Sequence, residues 1–107
     1  MRFSLYNAAM GKVKHAEYAA FHEEVFEGLG FIRYDMENVL GKYPCYKGSD
    51  GFFYLITGFG DDEYVIEYTE TEEAARKGLF WDADWFYGKP EKVIPEIRAA
   101  LLEYIKD

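Results

Sequence analysis

Phe52-Phe53-Tyr54-Leu55-Ile56 is the densest apolar stretch of this 107-residue chain, and Gly51 and Gly58 lie on either side of it. Aromatic and β-branched side chains favour strands, and a strand that is apolar at every position is typical of the centre of a sheet covered on both faces. We therefore expect this segment to form a central strand, with the other elements arranged around it.

The segments on either side have the periodicity of strands. Residues 32–37 alternate apolar with charged side chains, and residues 63–68 place aromatic and aliphatic side chains at every second position. A period of two is typical of a half-buried strand. Residues 43–47 contain Pro44, which predicts an edge strand because proline cannot donate to a ladder. Together these patterns predict a three- or four-stranded antiparallel meander over residues 31–69.

Helical patterns lie outside this meander. Residues 14–29 place apolar side chains three and four positions apart with glutamates between them, which predicts an amphipathic helix. The spacing of Thr69 and Glu72 predicts a capping box for a short helix, and residues 95–106 carry another apolar stripe. The expected fold class is α+β: one domain over residues 1–107, with a three- or four-stranded antiparallel sheet packed against an N-terminal and a C-terminal helix.

Residues 79–88 give no clear prediction of an element. Six large apolar side chains surround Asp82 and Asp84 without a regular period. Trp81 and Trp85 are four residues apart, so either a helical turn in the core or an exposed aromatic pair is compatible with the spacing.

The overall charge excludes some classes of partner. Asp and Glu total 20 against 12 Lys and Arg, which gives a net charge of −8, the wrong sign for neutralising the phosphates of nucleic acid. No apolar segment is long enough for a secretory signal or a membrane span, and Cys45 is the only cysteine. We expect a cytoplasmic protein that binds neither nucleic acid nor membrane and whose natural partner is a protein with a basic surface.

Nearly all the excess negative charge lies in one quarter of the chain. Residues 61–84 contain nine carboxylates and two cations, a net charge of −7. A focused negative field steers a cationic partner, and tryptophan is the residue type that most often anchors binding hot spots. Solvated surface is the plain alternative for these carboxylates. The predicted partner-binding residues are Asp61, Asp62, Glu67, Glu70, Trp81, Asp82, Asp84 and Trp85.

We find no catalytic constellation, metal site or cofactor motif, and we expect the chain not to be an enzyme. His15 and His22 are two helical turns apart, about 10.5 Å, which is too far for one metal ion, and His22 is expected at the helix surface or its boundary. Cys45 lacks a basic neighbourhood, so a buried, inert thiol is expected. A calcium loop beginning at Asp82 fails because its twelfth position is Val93.

The run from Tyr64 to Asp84 consists of a strand, an acidic helix and an aromatic-acidic segment. In this order it resembles small bacterial immunity proteins that accompany polymorphic or contact-dependent toxins; the likeness covers about 20 of the 107 residues. The resemblance implies a cytosolic, non-enzymatic protein that binds one cognate toxin domain, often a nuclease, and blocks its active site or an adjacent surface. No individual binding residue is transferred from that family.

Two other functions fit the same sequence. One is a phage-encoded acidic mimic that occupies a nucleic-acid groove on a host defence protein; a toxin gene immediately upstream would favour the immunity interpretation instead. The other is a small-molecule-binding module with an aromatic cavity around Tyr34, Tyr54 and Tyr68. Exposed aromatic side chains would also allow a homo-oligomer.

Overall fold

An antiparallel sheet forms the centre of an α+β fold. The computed structural model describes residues 2–3, 15–39, 41–58 and 62–106, with side chains in the first helix from Ala20 onward. No helix in this part of the chain is long and apolar enough to cross a membrane. The elements are β1 (Arg2–Phe3), α1 (His15–Phe26), β2 (Ile32–Asn38), β3 (Gly41–Lys47), β4 (Phe53–Gly58), β5 (Glu63–Thr69), α2 (Glu72–Lys77), β6 (Leu79–Tyr87) and α3 (Pro90–Tyr104).

The sheet is larger than the sequence predicted. Its strand order is β1-β6-β5-β4-β3-β2, with five strands of six to nine residues and the two-residue β1. Residues 31–69 supply four of these strands, as the meander required, and β6 comes from the segment that had no assignment. The prediction of only three or four strands is therefore wrong.

β3 was expected at an edge because of Pro44, but it lies between β2 and β4. It pairs with β2 along its whole length, whereas its ladder with β4 contains only Tyr46 and Lys47. Pro44 thus lies where β4 has already separated from β3, so the missing N–H group costs no hydrogen bond to β4.

Every residue of β4 is buried, which confirms the predicted central strand. On one side, Tyr54 and Ile56 pack against α1 and α3; we call this side the helix-pair face. On the other side, Phe53 and Leu55 belong to a smaller core; we call this side the α2 face. The other buried members of that smaller core are Met36, Tyr43, Cys45, Ala75 and Phe80.

α2 holds together two strands that are far apart in the sheet order. It contacts both β2 and β6, so the sheet curls around the α2 face. The buried Tyr43 hydroxyl donates to the Ala75 carbonyl and, at 3.2 Å, to that of Arg76. The N-cap is Thr71, whose side chain accepts from the Ala74 N–H, whereas Thr69, the predicted cap, is a buried residue of β5.

The two long helices are joined on the opposite side of the sheet. Nη1 of Arg98 in α3 donates to three carbonyls at the end of α1, those of Glu24, Val25 and Glu27, at 3.0, 3.0 and 2.7 Å. These are the carbonyls that a helix C-terminus leaves without intrahelical partners. The α1–α3 contact therefore has a specific polar component beside its apolar core.

His22 is not at the surface as predicted. Only 4% of it is exposed, and its Nε2 accepts the Ile56 backbone N–H at 3.1 Å. Since the β3–β4 ladder ends at Tyr46 and Tyr54, the imidazole supplies a hydrogen bond that the ladder does not. Acceptance at Nε2 places the proton of the neutral ring on Nδ1.

Candidate functional site

β6 exposes five consecutive residues, 81–85, which is unusual for a strand inside a folded core. A strand with one buried face would hide every second side chain. Here Trp81 is 47% exposed and Trp85 40%, and Tyr87 near the end of the strand is 57% exposed. We call residues 81–87 the β6 edge.

A bulge at Ala83 determines which way these side chains face. Trp81 and Asp82 pair with Tyr68 and Glu67, but Asp84 then pairs with Ile66, so Ala83 is an extra residue in the ladder. A bulge reverses the alternation of the residues beyond it. We conclude that β6 shows one tryptophan and one aspartate on each side of the sheet.

The two sides follow from the register. Trp81 shares the helix-pair face with Tyr68, and Asp84 shares it with Ile66. Asp82 and Trp85 lie on the α2 face, opposite Glu67 and Val65. The two tryptophans therefore neither form a helical pair nor lie in the core; they flank the edge from both sides.

Glu67 does not belong to the surface. The sequence pattern grouped it with Glu63 on a solvated face, but Glu67 is fully buried. It lies across the ladder from Leu55 in β4 and Asp82 in β6, because the α2 face is covered as well as the helix-pair face. We therefore remove Glu67 from the predicted contact residues.

Two other predicted contacts, Asp62 and Glu70, lie next to opposite ends of β5. Asp61 is outside the described residues. Asp62 contacts the segment that follows β6. Its carboxylate pairs with Lys89 at 3.1 Å, and its backbone carbonyl accepts a hydrogen bond from the Gly88 N–H. Glu70 is exposed at the opposite end, about 27 Å along the strand at 3.4 Å per residue. Asp62 and Glu70 thus cannot meet the same small group of a partner.

Ion pairs neutralise some of the carboxylates of residues 61–84. Glu72 pairs with Arg76 at 2.6 Å and Glu73 with Lys77 at 3.2 Å, while Asp62 pairs with Lys89. Glu70 has no ion pair among the described residues, and Asp82 and Asp84 are both exposed. The acidic segment 61–84 is therefore not uniform.

Asp84 is held by α3. Its Oδ2 accepts a hydrogen bond from the Tyr104 hydroxyl. Burial, together with this hydrogen bond and the charge of Asp84, raises the pKa of Tyr104 well above its usual range. Tyr104 therefore remains a neutral donor at physiological pH and orients Asp84 without cancelling its charge.

The three tyrosines proposed to line a ligand cavity do not share one. Tyr34 lies on the α2 face, against Phe53, whereas Tyr54 and Tyr68 pack on the helix-pair face. Tyr54 is 3% exposed, and its hydroxyl donates to Asp50 at 2.6 Å. The prediction of an aromatic cavity around this trio is wrong, because the sheet itself separates its members.

Sequence reasoning missed one residue of the site, and outside the site it placed Cys45 correctly. Tyr87, the most exposed aromatic side chain of the β6 edge, was not singled out, although it follows Trp85 at strand spacing. Cys45 is buried as expected, and burial raises the pKa of its thiol far above the usual range. A thiol kept protonated in this way is a poor nucleophile.

Comparison with known proteins gave no assignment. The chain matches no protein-family model, and no solved structure is significantly similar to it. The functional argument therefore depends on the geometry and charge of the site.

Proposed function

We propose that this protein is an immunity-type inhibitor that binds a cognate toxin domain in the cytoplasm and blocks its action, without being an enzyme itself. The observation that carries the proposal is the β6 edge: two partly exposed tryptophans and two exposed aspartates within five residues. Exposed aromatic side chains beside exposed carboxylates are the composition expected of a protein-binding surface, with the aromatic groups as anchors and the charges guiding encounter.

The sign of the charge favours a toxin domain that acts on nucleic acid. A nuclease holds phosphates with lysine and arginine side chains, so its substrate cleft is positively charged. Carboxylates at Glu70, Asp82 and Asp84 would occupy the same field and exclude the substrate. The proposed contact residues are now Glu70, Trp81, Asp82, Asp84, Trp85 and Tyr87, with Asp62 at the margin.

The test uses a candidate toxin domain, taken from the gene immediately upstream where that gene encodes one, and two double variants of equal charge change. The first is Asp82→Lys with Asp84→Lys. The matched control is Glu37→Lys with Glu103→Lys, which reverses two exposed carboxylates on β2, at the other end of the sheet order, and in α3. Titration calorimetry at low salt measures the affinity of each protein for the toxin domain.

We expect the β6 variant to lose at least tenfold in affinity, about 1.4 kcal/mol, and the control to change less than threefold. The loss should shrink as salt rises, because the lost interaction is electrostatic. Equal effects of the two variants would contradict the site assignment. Failure of the unaltered protein to bind or protect against that toxin domain would contradict the proposed function itself.

A further inference from the structure

We infer that the β6 edge recognises its partner by strand addition: an extended, lysine- or arginine-rich segment of the partner pairs with the backbone of residues 81–87. The inference rests on the proposed function and specifies the form of the partner's contact. Three features of the edge lead to it: an open strand backbone, a charge that opposes self-pairing, and aromatic side chains on both of its sides.

Within the part of the chain that the structure describes, β5 is the only strand that pairs with the backbone of the β6 edge. β6 pairs with β5 along one side. On the other side, β1 pairs only with Leu79 and Phe80, and no strand in the described residues continues that ladder to Trp81 and beyond. All residues from 81 to 85 are exposed, as expected if this side is uncovered. Seven residues at about 3.3 Å each give an edge of about 23 Å, enough for a typical added strand.

Charge selects the occupant. A second copy of this chain would place Asp82 and Asp84 near their own counterparts, and like charges across a ladder are destabilising. Charged side chains on an edge strand are also a device against edge-to-edge pairing between copies. A cationic strand would instead be attracted to the edge, because its lysines or arginines would lie beside both aspartates.

The positions of the two tryptophans fit a partner that adds a strand better than a partner that presents a flat surface. Side chains of an added strand alternate between the two sides of the sheet. Because the bulge puts Trp81 on one side and Trp85 on the other, each side of the added strand has an indole beside it. Cations stack favourably on indole rings, so alternate basic residues on either side of the strand find an aromatic partner.

The test uses three synthetic peptides of one sequence, acetyl-Val-Lys-Lys-Thr-Lys-Lys-Val-amide, which places two lysines on each side of an extended strand. One is unmodified, one is N-methylated at the odd positions and one at the even positions. All three carry the same charge, but in a strand the N–H groups of successive residues point to opposite edges. Trp81 and Trp85 are the only tryptophans of the chain, so intrinsic fluorescence reports binding at the β6 edge directly.

Strand addition predicts that one methylated peptide keeps the affinity of the unmodified peptide within threefold and that the other loses at least tenfold. It also predicts slower amide hydrogen exchange in residues 81–87 with the unmodified peptide. Equal binding of all three peptides, no binding, or dimerisation of the chain through β6 would overturn the inference. If the toxin domain still depends on Asp82 and Asp84 in that case, the proposed function stands and only the strand-addition mode falls.

Discussion

Tyr43→Phe tests how α2 is held against the curled sheet. Tyr43 is 7% exposed, and its hydroxyl donates to the carbonyls of Ala75 and Arg76. The Ala75 carbonyl also accepts the Gly78 N–H, so the variant leaves no orphaned acceptor there. A buried hydrogen bond contributes about 1 kcal/mol net, and we expect the free energy of unfolding at pH 7 to fall by about that amount.

Tyr43 also makes the free energy of unfolding depend on pH, and the sign of that dependence follows from its pKa. Burial raises the pKa of Tyr43 from 10 to about 12. A raised pKa in the folded state means that the stabilisation is complete below pH 10 and is lost as pH rises towards 12, because only the unfolded chain ionises in that interval. At 1.36 kcal/mol per pH unit, the unaltered protein loses about 1.4 kcal/mol relative to the phenylalanine variant by pH 11.

Urea denaturation of both proteins from pH 7 to pH 11.5 measures this difference, and ionisation of the other tyrosines cancels because both proteins contain them. The two stabilities should cross near pH 11, with the variant the more stable protein above that pH. A constant difference across the whole range would refute the assignment of Tyr43 as a buried donor to α2.

Four further substitutions probe other parts of the fold. Phe80→Ala should lower the free energy of unfolding by about 3–5 kcal/mol, since Phe80 is fully buried. Trp81→Ala is the control at the exposed neighbouring residue and should lower it by less than about 1 kcal/mol. Similar losses in the two variants would contradict the assigned sides of β6. His22→Leu should cost about 1–3 kcal/mol and speed amide exchange at Ile56, whereas unchanged exchange there would argue against the imidazole acceptor. Thr71→Ala should cost about 1 kcal/mol in thermal melts, and no change would exclude its role as N-cap.

The elements whose residues follow one clear pattern were predictable from the sequence. β4 is apolar at every position and is buried throughout. β2 alternates cleanly, and it forms over residues 32–38. Gly78 directly follows α2 and adopts a left-handed φ of 75° at its C-cap, as glycine commonly does at the end of a helix. In each case the local preference and the tertiary environment agree, which is the condition under which sequence patterns are informative.

β6 and Glu67 were not predictable, for two different physical reasons. The bulge at Ala83 reverses the alternation halfway along β6, so neither half is long enough to show a period. Glu67 follows the pattern of a solvated face in its own strand, and only the packing of α2 on the far side of the sheet makes that face a core. A single strand's pattern does not reveal whether another element covers its second face.

The candidate site was predictable in composition but not in arrangement. The charge of residues 61–84 identified the acidic segment, and Trp81 and Trp85 were recognised at its C-terminal end. The Glu72–Arg76 pair is local to α2, but the Asp62–Lys89 pair and the sheet register, which determine which other carboxylates are paired, buried or exposed, are not local properties. The site that results is narrower than the predicted one and centres on the β6 edge.

Amide hydrogen exchange of the whole chain, with and without the toxin domain that it binds, tests the central claim most directly. The account predicts that exchange slows in residues 81–87 and is unchanged in β2, the strand at the other end of the sheet order. Protection of β2 or α1 on binding, with residues 81–87 unaffected, would show that the β6 edge is not the docking surface.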